Sequence, residues 1–388
     1  MRGISEPRRR YCGIARFLSH GTNLKGTRGY MDINNPVNIN TGMSSTVEMM
    51  TPFSSTNDDA PRLQMNSAQQ KHIIPTKGST KPMYGTGVEK SVHLSMPDGF
   101  IVKAKDDGKV EKVDEDHGLV VLKYDNGQKD VIDISKRLYN NSAGGFYQNL
   151  DLTLMYKPGR KFKKGDIVAK NNDFFKGTDP KDLNYSVGTL SKIALSSSDG
   201  TYEDSTVITD KMSDMLESEF VNKREVLLDK STKVLALVAE DENVKASDPL
   251  IVFEDGLDDA DANDAMNAFA EFDDDDLEDL LSDSISRKKL AKHAGNIVKV
   301  NLYYNTPIDE MSPSLAKIVR KYENKNDAKI KVIQSELGDS PKHEYQNNVI
   351  SGMESDPNRL NGQEASGVLI EWYIKSAEPM AVGDKINL

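Results

Sequence analysis

Phe100-Ile101-Val102, Asp107-Gly108, Leu119-Val120-Val121-Leu122, Asn126-Gly127 and Val131-Ile132-Asp133-Ile134 decide the fold class. Short apolar runs alternate here with dipeptides that adopt positive φ cheaply, the short-range signature of antiparallel hairpins. Strands this short and this evenly spaced predict a small antiparallel barrel or a curled sheet. A weaker echo lies further out. Lys164-Gly165-Asp166-Ile167-Val168, Ala246-Ser247-Asp248-Pro249-Leu250 and Val382-Gly383-Asp384-Lys385-Ile386 each set a tight turn with Asp ahead of a strand. Their irregular spacing argues for related barrel corners rather than a tandem repeat.

The flanking segments differ. Leu277, Leu280, Leu281 and Ile285 fall at helical spacing, with Asp273 to Asp276 before them and Arg287, Lys288, Lys289 and Lys292 after, then Gly295. Acids first and bases last complement a helix dipole, so a helix is predicted there. Another is predicted from Ser312-Pro313, with Leu315, Ile318, Val319 and Tyr322 on one face. Strands expected at 297–304, 330–333 and 368–373 make this a small α+β module. A third helix is predicted over 61–71, opened by Pro61 behind Asp58 and Asp59.

A chain of 388 residues allows two or three domains. No apolar stretch approaches the roughly 18 residues of a membrane span, and the basic N-terminus lacks the apolar core of a secretory signal. Cys12 is the single cysteine, and the six histidines form no HxH or HxxxH pair. An internal disulfide and a histidine metal centre are both disfavoured. The net charge of −11 conceals an uneven distribution. Residues 254–283 hold fourteen acids and no base, leaving the rest near +3, and residues 1–29 carry seven Arg or Lys against Glu6 alone. The chain is a basic arm, a near-neutral body and an acidic insert.

No phosphate loop, dinucleotide fingerprint, nucleophile elbow or zinc spacing occurs. Three features have chemical potential. Glu203 and Asp204, in Asp199-Gly200-Thr201-Tyr202-Glu203-Asp204-Ser205 between apolar strands at 193–195 and 207–208, could hold a metal directly or through water, or form a solvated turn. Arg62 could clamp a phosphate bidentately, or pair with Asp58 or Asp59. Lys385 is a lone cation near the C-terminus, by default a surface charge.

In order, these motifs resemble the middle of the β subunit of multisubunit RNA polymerases. Tyr30-Met31-Asp32 through Met50-Thr51-Pro52-Phe53 is similar to the family's YMDVSP…LIPF. Asp58-Asp59-Ala60-Pro61-Arg62, with Met65, Gln70 and Pro75, is similar to its DDANRALMGSNMQRQAVP. Gly85-Thr86-Gly87-Val88-Glu89 resembles its GTGxE, and Gly165-Asp166-Ile167-Val168-Ala169 its GDxLAdG corner. Gly200-Thr201-Tyr202-Glu203-Asp204-Ser205 resembles its GYNYEDA/S, and 368 to Asp384-Lys385 its vLKxVKVYxAxKRxxxxGDK. Each match is weak alone; six in order over about 350 residues are specific together.

The resemblance implies a mixed, mainly β fold: a β-barrel of double-psi or hybrid-binding type, completed by another chain, with an inserted α+β flap module. It divides the chain into a basic arm (1–40), a fork-loop-like segment (41–90), a hybrid-binding barrel region (91–255), the acidic insert with its helix (256–294), a flap-like module (295–375) and a return strand (376–388). It implies two-Mg²⁺ nucleotidyl transfer, with the Mg²⁺ held mainly by a β′-like partner carrying NADFDGD. Arg62 matches the arginine on the incoming triphosphate. Glu203 and Asp204 match the acid pair beside the second metal, and Lys385 a lysine near the RNA 3′ end. The family's RHGNKG is absent, so another β fragment is expected to carry it. Other implied partners are the DNA template, RNA and an initiation factor at the flap, with no membrane. His72 stands where the family has a glutamine, and its RSNQ and MPW are not recognisable. Split, diverged β subunits resemble those of large-genome bacteriophages of the phiKZ type, which places the chain in infected host cytoplasm or in a virion. The competing class is a non-catalytic virion structural protein or nucleic-acid-binding barrel.

Overall fold

The structure, a computed structural model, describes residues 4–5, 17–18, 24–25, 30–31, 45–51, 73–96, 99–134, 138–141, 146–180, 182–196, 205–254, 286–338, 352–353, 358–360 and 363–386. The expected 61–71 helix, Arg62, Glu203, Asp204 and most of the acidic insert lie outside them. The fold is mixed and mainly β, as expected. The chain forms two compact units: 1–141 with 148–219 and 377–388, and 142–147 with 220–376.

In the first unit the Asn126-Gly127 reading holds. Leu119–Tyr124 pairs antiparallel with Lys129–Asp133, and the Gly127 N–H closes the turn on the Tyr124 carbonyl at 3.0 Å. Gly108–Asp114 pairs on the other side of the central strand, and Lys161–Phe162 adds a fourth strand. A second sheet orders Leu152–Leu154, Ile167–Asn171 and Ile101–Lys103. Val110, Val120, Leu122, Ile132, Phe162 and Val168 belong to one buried cluster joining the two sheets. Asp107-Gly108 is not a hairpin turn, because the strands either side of it join different sheets. Gly108 is needed for approach: a Cβ there would collide with the Lys123 carbonyl.

The Asp corners share one geometry. Gly165, Ser247 and Gly383 all have positive φ, at 82°, 71° and 102°. In each, the Asp that follows folds back on the residue three before it. Asp166 Oδ2 accepts the Lys163 N–H at 2.9 Å, Asp248 Oδ2 the Lys245 N–H at 2.7 Å, and Asp384 Oδ2 the Ala381 N–H at 2.8 Å. The same three Asp N–H groups donate to the carbonyls of Lys163, Lys245 and Ala381.

The second unit is built on a sheet ordered Asn243–Val244, Gly295–Tyr304, Val368–Glu378, Ser218–Leu228 and Phe146–Asn149. Pro313–Leu337 is the expected helix. Ser312 caps it, accepting the Leu315 N–H and donating to the Thr232 carbonyl at 2.6 Å. Leu315, Val319 and Tyr322 enter the core with Trp372 and Ile374. Within the sheet Lys223 bonds Glu371, 1% exposed, at 2.9 Å, and Tyr373 donates to the same carboxylate. Burial opposes the Lys223 charge, but hydrogen bonds to Glu225 and Glu371 outweigh it and push its pKa up.

Three expectations are corrected. Residues 330–333 are helical, since no breaker intervenes before Gly338. Ser286–Leu290 is a strand on the edge of a sheet with Pro249–Glu254 and Lys233–Leu237, so Arg287, Lys288 and Lys289 do not end a helix. Lysines on an exposed edge discourage further strand pairing. Beyond Glu378 the chain turns over 381–384 and forms no strand up to residue 386, unlike the expected return strand.

Candidate functional site

The first unit brings segments that flank three of the motifs to Asp210–Met215, a short helix capped by Thr209, whose hydroxyl accepts the Met212 N–H. Residues 76–80 run along its C-terminal end. The Lys77 N–H donates to the Glu217 carbonyl and the Gly78 N–H to the Met215 carbonyl, both at 2.8 Å, and Lys77 pairs with the Glu217 carboxylate at 3.1 Å. The Thr80 N–H reaches the Gly188 carbonyl at 2.7 Å. On the helix itself, the Ser213 hydroxyl donates to the Met380 carbonyl at 2.6 Å, and the Met380 N–H returns to the Ser213 carbonyl at 3.3 Å. Segments 76–80, 205–217 and 380–386 are thereby tied together, although they are far apart in sequence.

Gly85-Thr86-Gly87-Val88-Glu89 is separated from the end of the first of these by four residues. Glu89 folds back into its own loop: its carboxylate accepts the Thr86 N–H at 3.1 Å and the Gly87 N–H at 2.8 Å. A Cβ at Gly85 would meet that carboxylate. The motif is a loop plugged by its own anion, which explains why Gly, Gly and Glu occur at that spacing. The Thr86, Gly87 and Val88 N–H groups are satisfied within the loop.

Lys385 follows the third Asp corner and is exposed. Arg62, Glu203 and Asp204 lie outside the described residues. Among the described residues no three His, Cys, Asp or Glu side chains form a metal-sized cluster, and no helix is long and apolar enough to cross a membrane. Sequence reasoning missed Ser213 and Met380, which tie the C-terminal segment to the helix; no motif marks them. It also missed Lys170, which is buried and donates to the Phe175 carbonyl at 2.8 Å. Burial, then Lys176, pushes the Lys170 pKa down.

The surroundings are unusually apolar for a surface. Leu190, Ile193 and Leu195 lead toward the acid pair and Val207 follows it; all four are exposed, and none lies in a strand. The strands expected at 193–195 and 207–208 are unpaired among the described residues, because no neighbouring described segment offers them a backbone edge.

No family profile matches the chain. Individual proteins do. A DNA-directed RNA polymerase subunit beta from Caldicellulosiruptor saccharolyticus is 31% identical over 157 residues, 40% of this chain and 12% of that protein. The subunit beta of Desulfatibacillum aliphaticivorans is 35% identical over 130 residues, 32% of this chain and 9% of its own length. That of Bdellovibrio bacteriovorus is 33% identical over 117 residues.

Part of this chain is similar to part of an RNA polymerase β subunit.

The aligned stretch covers about a tenth of each of these relatives. It agrees with the family suggested by the order of the motifs.

Proposed function

We propose that the chain is a β-type fragment of a multisubunit DNA-directed RNA polymerase, forming the β side of an active centre whose remaining parts sit on other chains. The observation that carries this reading is that the helix behind the GTYEDS motif is bonded both to residues 77–78, just ahead of GTGxE, and to Met380, just ahead of the GDK corner. Similarity to named β subunits supports it independently. In this reading Arg62 binds the incoming triphosphate, Glu203 and Asp204 stand beside the second Mg²⁺, and Lys385 supports the RNA 3′ end. A compact cation on a flexible stem suits charge developing on phosphoryl oxygens. The Mg²⁺ itself is held mainly by a β′-like chain, and it supplies the electrostatic and Lewis-acid part of in-line transfer. Template DNA, RNA and an initiation factor at the 295–375 module are the other partners. In this reading the chain is one piece of a divided β subunit of the phiKZ phage type, acting in host cytoplasm or packaged in the virion.

Purification of the tagged chain from cells that make it is the direct test. It should bring down chains carrying NADFDGD and RHGNKG; capsid chains instead would make it a structural protein. The isolated chain should synthesise no RNA, and synthesis by it alone would refute the reading. In the assembled enzyme, Arg62→Ala should raise the nucleotide requirement by about 10- to 150-fold, the worth of one charge-assisted contact. Lys385→Ala should slow bond formation by about 100-fold while assembly persists.

A further inference from the structure

Two of the three Asp corners clasp an alanine, and the third clasps nothing among the described residues. At the first, the Gly165 N–H donates to the Ala104 carbonyl and the Ala104 N–H to the Asp166 carbonyl, both at 2.8 Å. At the second, the Ser247 N–H donates to the Ala291 carbonyl at 2.9 Å and the Ala291 N–H to the Asp248 carbonyl at 2.8 Å. Both alanines are 3% exposed. The two-bond clasp holds a passing strand against the turn and encloses its alanine.

The clasped segments also share a sequence, Ala104-Lys105-Asp106-Asp107-Gly108 and Ala291-Lys292-His293-Ala294-Gly295. Both glycines open a strand whose next neighbour comes so close that a Cβ would collide with its backbone, at Lys123 and at Lys375. Each corner is bracketed by apolar residues that complete the enclosure. Phe162 and Val168 flank the first and Val244 and Leu250 the second, all buried.

The third corner has the same turn, the same Asp lock and the same bracketing, with Met380 and Ile386. Yet nothing described meets the Gly383 N–H or the Asp384 carbonyl. Asp384 is exposed where Asp166 and Asp248 are half-buried, and Ile386 is half-buried where Val168 and Leu250 are fully enclosed. Met380 is held by Ser213, so the clasp rests on Gly383 and Asp384. No third Ala-x-x-x-Gly occurs among the 388 residues.

We propose that the Gly383–Asp384 corner is a docking site for an extended segment of another polypeptide, which places an alanine of an Ala-x-x-x-Gly sequence in the clasp. The Gly383 N–H donates to that alanine's carbonyl, and the alanine's N–H donates to the Asp384 carbonyl. This is strand addition at a preformed two-bond site, with specificity set by the small side chain. It stands on the geometry of the corners and is independent of the chain's proposed enzymatic role.

The test uses the full chain purified with the polypeptides that accompany it. Val382 is exposed, as are its counterparts Lys164 and Ala246, so Val382→p-benzoylphenylalanine leaves the fold intact. Irradiation followed by peptide sequencing should capture a different polypeptide at an Ala-x-x-x-Gly segment. Changing that alanine to leucine, or Asp384→Ala in this chain, should abolish capture. Amide exchange at Gly383 should slow about tenfold or more on assembly. Capture of a segment of this same chain, capture at a bulky residue with the alanine change harmless, or an unprotected Gly383 amide in the complex would each overturn the proposal.

Discussion

Residues 119–122 and residues 193–207 contain comparable apolar runs that come to opposite environments within one unit. Val120, Val121 and Leu122 are at most 1% exposed, in a strand paired on both edges. Ile193, Leu195 and Val207 are 59%, 94% and 67% exposed, in no strand at all. Composition is not what separates them. The first run lies between Gly108–Asp114 and Lys129–Asp133, which supply both backbone partners and a facing sheet. The second has neither among the described residues. An apolar run becomes a strand only where something else completes its hydrogen bonds; under the proposed function the open run is where contact with other chains is expected.

The largest expected effect contrasts Val120→Asp with Val207→Asp. A carboxylate at Val120 would be buried without a partner, costing several kcal/mol, and the chain should fail to fold by circular dichroism. Val207→Asp should melt within about 0.5 kcal/mol of the parent yet lose its co-purifying chains. If it melts normally and still assembles, the open run is merely solvated surface and the contrast collapses. Truncation gives a milder version. Leu122→Ala should cost about 2–5 kcal/mol in urea unfolding, and Leu195→Ala less than about 0.5 kcal/mol.

The smallest effect concerns acid. His93 is buried at 9% exposure next to Val92, which belongs to another buried cluster of this unit, and burial first, then Lys103, pushes its pKa below the usual 6.5. The unfolded chain therefore binds the proton more readily. Stability from the neutral ring is complete above pH 6.5 and is lost as pH falls from there through the lowered folded value. Urea midpoints taken from neutral pH downward should drop in that window, and His93→Gln should flatten the drop. An unchanged slope in the variant would assign the acid sensitivity to other groups.

Local signals were legible. Asn126-Gly127 makes its turn because positive φ is a local demand, and Ser312 caps its helix because orphan N–H groups need an acceptor. Non-local demands were not legible. Gly108 serves a close approach to a carbonyl fifteen residues on, so Asp-Gly misled. Arg287 to Lys289 have a helix-ending charge order, but pairing with Pro249–Glu254 overrides it. The three Asp corners were legible as matching sequence, while Arg62, Glu203 and Asp204 of the candidate site lie outside the described residues. The hydrogen bonds that tie it together, from Ser213 to Met380 and from Gly78 to Met215, lie between segments that carry no shared pattern.

Glu254 and Ser286 face each other in register across the edge of their sheet. The thirty-one residues between them, nearly all of the acidic insert, thus leave and rejoin the fold at one point. A tight turn would serve the same connection. In topological terms the two ends of the insert meet at one ladder position. The connection can be exchanged, lengthened or shortened without rerouting any described strand, which makes it a natural port for grafting a tag or a foreign domain onto the assembly.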